Sequence, residues 1–259
     1  MVTFIETFGR FDVAEVKRRD MKRWLEFLRD EKGLSPKTCN KTKAHFGHFF
    51  KWCVDGEYIR ESPLKGVWFS ESRRNCPPRR PRIIFKEKEL VEILEKARAF
   101  DKNNLFPFMY ALMHLGSRAG ETLSLKWDDV DLAAGFVEFR EENTKTGVGR
   151  MVELSPFLKG LLSSLPRRGD YVFANERGGM MSYSTIHGAL KRFREVCPQM
   201  RAAGFHSLRH SFAANALMEK KMRPHEVQKI MGHETSAMTM DLYGKYAAKE
   251  IKNPSPYGF

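Results

Sequence analysis

The chain has 259 residues, with 45 Lys and Arg against 32 Asp and Glu, giving a formal charge of +13. That length accommodates one large domain or a small domain joined to a larger one, and the basic excess suits a polyanionic partner such as nucleic acid, or simply a soluble basic surface. No apolar run approaches the roughly 18 residues of a membrane span, Met1–Asp20 carries charges where a signal peptide needs an apolar stretch, and Cys39, Cys53, Cys76 and Cys197 form no CxxC pair. Membrane insertion, secretion, a disulfide framework and a zinc cluster are therefore disfavoured, and a cytoplasmic location is expected.

From Asp12 to Lys32 the residues Val13, Val16, Met21, Trp24, Leu25 and Leu28 recur at helical spacing, and Gly33 follows as a C-cap, which predicts one amphipathic helix. Ser35-Pro36 opens a second helix to about Asp55, on which Phe46, Phe49, Phe50 and Trp52 are interleaved with Lys37, Lys41, Lys43 and Lys51. Most of these aromatics are expected in a core; the lysines form either a solvated face or the lining of a groove against phosphates. Residues 71–82 contain three prolines and five arginines and read as an extended linker. Within it, Arg79 and Arg80 suit a phosphate backbone as well as they suit a solvated tether. The expected organisation is a helical domain over 1–72, a linker over 73–82 and a larger domain over 83–259. Residues 1–82 hold 19 basic and 11 acidic side chains, so the N-terminal third carries most of the charge excess.

Beyond the linker, helices are predicted at Lys86–Ala99, Asn104–Leu115 and about Ala119–Leu125. The period then changes: Phe136–Arg140 and Arg150–Leu154 alternate like strands, and Thr146-Gly147-Val148-Gly149 between them suggests a hairpin turn that leaves Lys145 near its tip. Helical patterns return at Tyr183–Val196, Ser207–Glu219, His225–Met231 and roughly Ala237–Tyr246. The fold class is mainly α with a small β-hairpin or sheet in the C-terminal domain.

The densest chemical signal is Phe205-His206-Ser207-Leu208-Arg209-His210, just after Gly204. His206 and Arg209 are three apart at a helix start, where a ring nitrogen, a guanidinium and backbone N–H groups converge on one small anion. His206 and His210 are four apart, which invites a metal reading, but no HExxH glutamate or cysteine cluster accompanies them. Such a motif alone is equally a cap and a surface pair. Arg223–His233 reads as a short helix with Pro near its start and Gly at its end, delivering His233 from the terminating turn. Tyr243 follows ten residues later and Tyr246 three after that; a tyrosine in such a place is commonly only an amphipathic anchor. Arg118 lies in Leu115–Glu121, where an apolar helix bends and restarts, and needs an anionic partner if buried. Glu121 is the local candidate.

In this order, Arg118, Lys145, His206, Arg209, His233 and Tyr243 resemble the Arg, Lys, His-x-x-Arg, His and Tyr of the tyrosine recombinases, the phage integrases and Xer-type enzymes. Gly116–Trp127 resembles the first arginine box, Thr144-Lys145-Thr146-Gly147 the lysine hairpin, His206–His210 the second box, and Met231-Gly232-His233, with Met for Leu, the Leu-Gly-His turn. Residues 12–70 resemble the small helical core-site-binding domain by pattern rather than by motif. The resemblance implies an α+β catalytic domain and site-specific cutting and rejoining of double-stranded DNA through a 3′-phosphotyrosine on Tyr243. Arg118 and Arg209 would clamp the phosphate, His233 would assist them, His206 would orient or deprotonate the nucleophile, Lys145 would protonate the leaving oxygen, and Glu121 would support the site. It further implies no metal and no organic cofactor, a homotetramer on DNA, and a possible accessory DNA-bending or directionality factor. The rival readings are a type IB topoisomerase, a DNA-binding regulator that does not cleave, and a metal-dependent nuclease.

Overall fold

The computed structural model describes residues 2–10, 12–67, 83–100, 102–144, 147–219 and 222–232. The linker with Arg79 and Arg80, together with Cys76, Lys145, His233, Tyr243, Tyr246 and the helix expected at Ala237–Tyr246, lies outside these residues. The chain divides into two compact units, Met1–Arg80 and Pro81–Phe259.

In the first unit, α1 (Val2–Phe8), α2 (Arg18–Asp30) and α3 (Pro36–Asp55) surround a core of Met21, Trp24, Leu25, Leu28, Cys39 and Phe50. The single helix expected over 12–32 is two pieces: Asp12 caps a tight turn at Val13–Glu15, the chain runs extended through Val16 and Lys17, and α2 begins at Arg18. The apolar period continued across that break, so spacing alone did not reveal it. Helix α1 was not anticipated; its Phe4 stacks on Phe46 at 4.2 Å and meets Trp24 edge-on at 5.2 Å. Ser35 caps α3 through the Thr38 N–H, with Pro36 in the first turn, as Ser-Pro chemistry requires. The aromatics of α3 do not share one burial: Phe50 is buried and Phe46 half-buried, while Phe49 and Trp52 are exposed.

The second unit is built around α5 (Leu105–Leu115), where Leu105, Phe108, Met109, Ala111, Leu112 and Leu115 are all buried. A helix apolar on most of its circumference belongs in the middle of a layer. Around it pack α4 (Glu87–Phe100), α6 (Ala119–Leu123), α7 (Pro156–Ser164), α8 (Tyr183–Val196) and α9 (Phe205–Met218), and α10 (Pro224–Met231) closes on α9 through Val227 and Met231. The unit's first described segment is tied to α9 by polar bonds, with the Phe85 N–H donating to Ser211 Oγ at 2.9 Å and Asn215 Nδ2 donating to the Phe85 carbonyl at 3.1 Å.

The sheet has three antiparallel strands in the order β1 (Val130–Asp131), β2 (Phe136–Phe139), β3 (Arg150–Glu153). Phe139 pairs with Arg150 at the end of the β2–β3 ladder. Among the described residues between these strands, Glu141–Asn143 form a helical turn. Fold class agrees with the sequence reading: mainly helical, with one small sheet.

Helix α5 ends at Gly116, whose φ of +57° is in the left-handed region, and a Cβ there would lie 2.4 Å from Phe212 Cδ1. Both strain and overlap oppose any larger residue. Gly116→Ala is expected to destabilise the chain by about 2 kcal/mol, a fall in Tm of roughly 4–8 °C. Gly160→Ala, inside α7 with nothing within 4 Å of the added carbon, is expected to leave Tm unchanged or raised. Thermal melts of the two variants would refute this packing account if they shifted alike.

Candidate active site

Three arginines from three elements meet at one helix end. Arg118 is the N-cap of α6, Arg209 lies in the first turns of α9, and Arg150 opens β3. Their targets are successive carbonyls at the C-terminus of α10. Arg150 Nε donates to Ile230 O at 2.7 Å, Arg209 Nη2 to Met231 O at 2.7 Å and Arg118 Nη2 to Gly232 O at 3.3 Å. Gly232 makes this possible by taking φ +61° as the C-cap, a conformation that turns its carbonyl away from the helix and that glycine adopts without strain. Arg209 Nη1 also donates to the Gly116 carbonyl at 2.6 Å, so both left-handed glycine caps present oxygen atoms to the site.

Among the described residues, one carboxylate joins them. Glu121 Oε1 accepts from Arg118 Nη1 at 2.6 Å, and Oε2 accepts from Arg150 Nη2 at 2.7 Å and from the Arg118 backbone N–H at 3.0 Å. Glu121 is thus the partner that Arg118 was expected to need. Burial pushes its carboxyl up, but the Arg118 backbone N–H, the charge and hydrogen bond of Arg150 and the Arg118 guanidinium outweigh burial and hold it below the ordinary carboxylate range. Arg209 is 2% exposed and has carbonyls rather than a carboxylate for partners. Burial first, then repulsion from Arg118 and Arg150, against the attraction of Glu121, pushes its pKa down to about 9. It remains cationic at neutral pH. Among the described residues, these three guanidiniums and one carboxylate sum to +2, and an anion placed beside them relieves the repulsion.

His206 lies exposed on the first turn of α9, with its ring edge-on to His210 at 4.4 Å. Among the described residues no group of three His, Cys, Asp or Glu side chains could hold a metal ion. The structure therefore brings together Arg118, Glu121 and Arg209, with His206 at the start of the Arg209 helix; Lys145, His233 and Tyr243 lie outside the described residues. Arg150 is the member that the sequence reading missed. A polar residue opening an alternating strand reads as solvent-facing, and only its register opposite Phe139, over whose ring it lies at 4.3 Å, turns it inward.

The lysines expected to meet DNA fare differently. Lys37 and Lys41 are exposed on α3, Lys51 is paired with Asp55 at 2.9 Å, and Lys43 donates to the Val67 carbonyl within its own unit. Lys43 is thus engaged in holding the fold.

Removing the one carboxylate tests the charge balance. Glu121→Gln leaves buried guanidiniums uncompensated and is expected to cost about 3–5 kcal/mol, with sulfate recovering part of the loss by occupying the cationic space. Because the folded pKa of Glu121 is depressed, its stabilisation is complete above the unfolded value of roughly 4.3 and disappears as pH falls through the folded value, so the gap between wild type and Glu121→Gln narrows in acid. Urea titrations at several pH values, with and without sulfate, check both; a gap that stays constant into acid contradicts the ion-pair account.

The model of the phage integrase family matches residues 84–250. The tyrosine recombinase XerA of Pyrococcus furiosus is 28% identical over 249 residues, covering 90% of this chain and 78% of that protein. The tyrosine recombinase XerC of Bacillus subtilis is 25% identical over 272 residues, covering 97% and 84%. Among solved structures, the Tn1549 transposon integrase in complex with transposon right end DNA superposes with a TM-score of 0.71 at 21% identity, covering 96% of this chain and 89% of that one. A lambda integrase dimer bound to a core site gives 0.68 at 18%, covering 93% and 86%. At such identities the structural likeness carries the fold, and the family match carries the identity: the chain belongs to the phage integrase family, the tyrosine-type site-specific recombinases that cleave and rejoin DNA.

Proposed function

We propose that Tyr243 is the nucleophile of this recombinase and that the arginine cluster is where the scissile phosphate is activated. The observation that carries the reading is the sum of +2 over Arg118, Arg209, Arg150 and Glu121. A phosphodiester carries one negative charge, and attack by a phenolate raises this to two at the pentacoordinate stage. A preorganised dication therefore gains most from the transition state, which is the condition for acceleration rather than mere binding. Buried guanidiniums supply that field without reorganisation, and their planar forks suit two phosphoryl oxygens at once.

In this reading Arg118 and Arg209 take the non-bridging oxygens and His233 adds a hydrogen bond. His206 receives the Tyr243 proton or orients the phenol, the Tyr243 Oη–phosphorus bond forms as the bond to the 5′-oxygen breaks, and Lys145 delivers a proton to that oxygen. One phosphoester replaces another, so rejoining by an incoming 5′-hydroxyl needs no nucleotide hydrolysis. The substrate is a recombination site in double-stranded DNA, exchanged within a homotetramer, with an accessory bending or directionality factor as a further partner. The Arg/Pro-rich 73–82 segment, with Arg79 and Arg80, and the exposed Lys37 and Lys41 of the first unit supply non-specific backbone contacts. Lys51, paired with Asp55 on the surface, exchanges that weak pairing for a phosphate at little cost.

Nicked suicide duplexes drawn from the host genome, incubated with the protein in EDTA and denatured in SDS, are expected to yield a covalent adduct with wild type and with Tyr246→Phe but none with Tyr243→Phe. Sequencing the trapped DNA gives the site. Binding without any adduct would favour a non-cleaving regulator; an adduct that requires metal would defeat the proposed chemistry; relaxation of supercoils without exchange between duplexes would favour a topoisomerase.

A further inference from the structure

Arg150 is held by several partners at once. Its side chain is 8% exposed, its Nη2 and Nε are spent on Glu121 and Ile230, and its plane lies over Phe139. The remaining nitrogen, Nη1, is buried and has no hydrogen-bond partner among the described residues. It packs so closely on Gly232 that a Cβ there would come within 2.9 Å. An arginine nitrogen sealed from water without a partner is costly, and a position that required only packing would be better served by an apolar side chain. Because that nitrogen is sealed, it does not face an incoming phosphate. The value of Arg150 therefore lies in what it joins.

It joins the strand that follows Lys145 to the other two parts of the site. Arg150 is five residues after Lys145 and is the first residue of β3. Where the chain enters β3 its fixed point is the Arg150 guanidinium, bonded on one side to the carboxylate that holds Arg118 and on the other to the helix end that holds Arg209. We propose that Arg150 is a positioning residue for strand cleavage: it ties the start of β3, five residues after Lys145, to the Glu121–Arg118 pair and to the α10 terminus, and so couples proton delivery to the phosphate clamp. The inference rests on the reading that Lys145 protonates the leaving 5′-oxygen.

The test separates proton delivery from everything else. In a duplex whose scissile 5′-oxygen is replaced by bridging sulfur, the Tyr243 Oη–phosphorus bond forms and the phosphorus–sulfur bond breaks. The leaving group departs as a thiolate, whose conjugate acid has a pKa of roughly 8.5, so no proton is needed. Rates of adduct formation are measured on the trapped site with oxygen and with sulfur, for wild type, Lys145→Ala, Arg150→Gln and Arg150→Lys, alongside DNA affinity and thermal melts. With oxygen, Arg150→Gln is expected to be slowed by roughly 100-fold or more with DNA affinity nearly unchanged, and sulfur should restore most of the loss, as it should for Lys145→Ala. Arg150→Lys, which keeps a cation for Glu121 but loses the bond to Ile230, should fall between, and it carries the test if Arg150→Gln does not fold. If sulfur rescues Lys145→Ala but neither Arg150 variant, Arg150 acts on the clamp or the fold and the inference is overturned. If wild type forms no adduct, or sulfur fails to rescue Lys145→Ala, the underlying reading fails instead and takes the inference with it.

Discussion

The site depends on a helix that ends in the right place. The last carbonyls of α10 have no partners within the helix, and they stand at the negative end of its dipole. Here the carbonyls of Ile230, Met231 and Gly232 are taken in turn by Arg150, Arg209 and Arg118. One helix end thus satisfies its own orphan acceptors and sets the spacing of three cations that would otherwise repel one another. Displacing α10 by one turn would leave both sides unsatisfied, so the packing of Val227 and Met231 against α9 has a direct electrostatic consequence.

The carboxylate count follows from this arrangement. Had each arginine its own acid, the cluster would be neutral and comfortable, and would offer little to a phosphate. Among the described residues Glu121 pairs Arg118 and Arg150 while Arg209 bonds to carbonyl oxygens, and burial, with repulsion from Arg118 and Arg150, lowers the Arg209 pKa. The surrounding core makes this tolerable: Phe108 packs edge-on against Phe205 at 5.1 Å and against Phe173 at 5.4 Å, fixing α5 and the start of α9 with respect to each other. The discomfort is local and held by a well-packed interior.

Much of this was legible in the sequence, and the gaps have physical reasons. Helices with strong periodicity and clear caps were found within a few residues of their bounds, as at Pro36–Asp55 and Tyr183–Val196. Arg118 pairs with Glu121, the partner its local motif offered, and Arg209 reaches the Gly116 carbonyl close by. Helix α7 was missed although Ser155-Pro156 repeats the Ser-Pro opening of α3, with Ser155 Oγ accepting from the Leu158 N–H; its nine residues were too few for the apolar period to stand out. Strand β1, two residues long, carries no period at all. Arg150 was illegible for another reason. Its meaning depends on contacts 29 residues back to Glu121 and 80 residues forward to Ile230, and no window read along the chain contains both ends.

The charge of the molecule works on two scales that should not be conflated. The excess in residues 1–82, 19 basic against 11 acidic side chains, includes exposed groups such as Lys37 and Lys41, and exposed charges act through water, screened beyond a Debye length of roughly 8–10 Å. Such charges act at long range and weaken with salt, but they hold one geometry no better than another. The charge around Glu121 is different: its carboxylate is 2% exposed and the paired Arg150 side chain 8%, so little solvent lies around these groups. A field of that kind is weakly screened and fixed in direction, and it stabilises a change in charge at one atom rather than the presence of a polyanion. Arg118, whose side chain is 22% exposed, is the member of the cluster that reaches both environments.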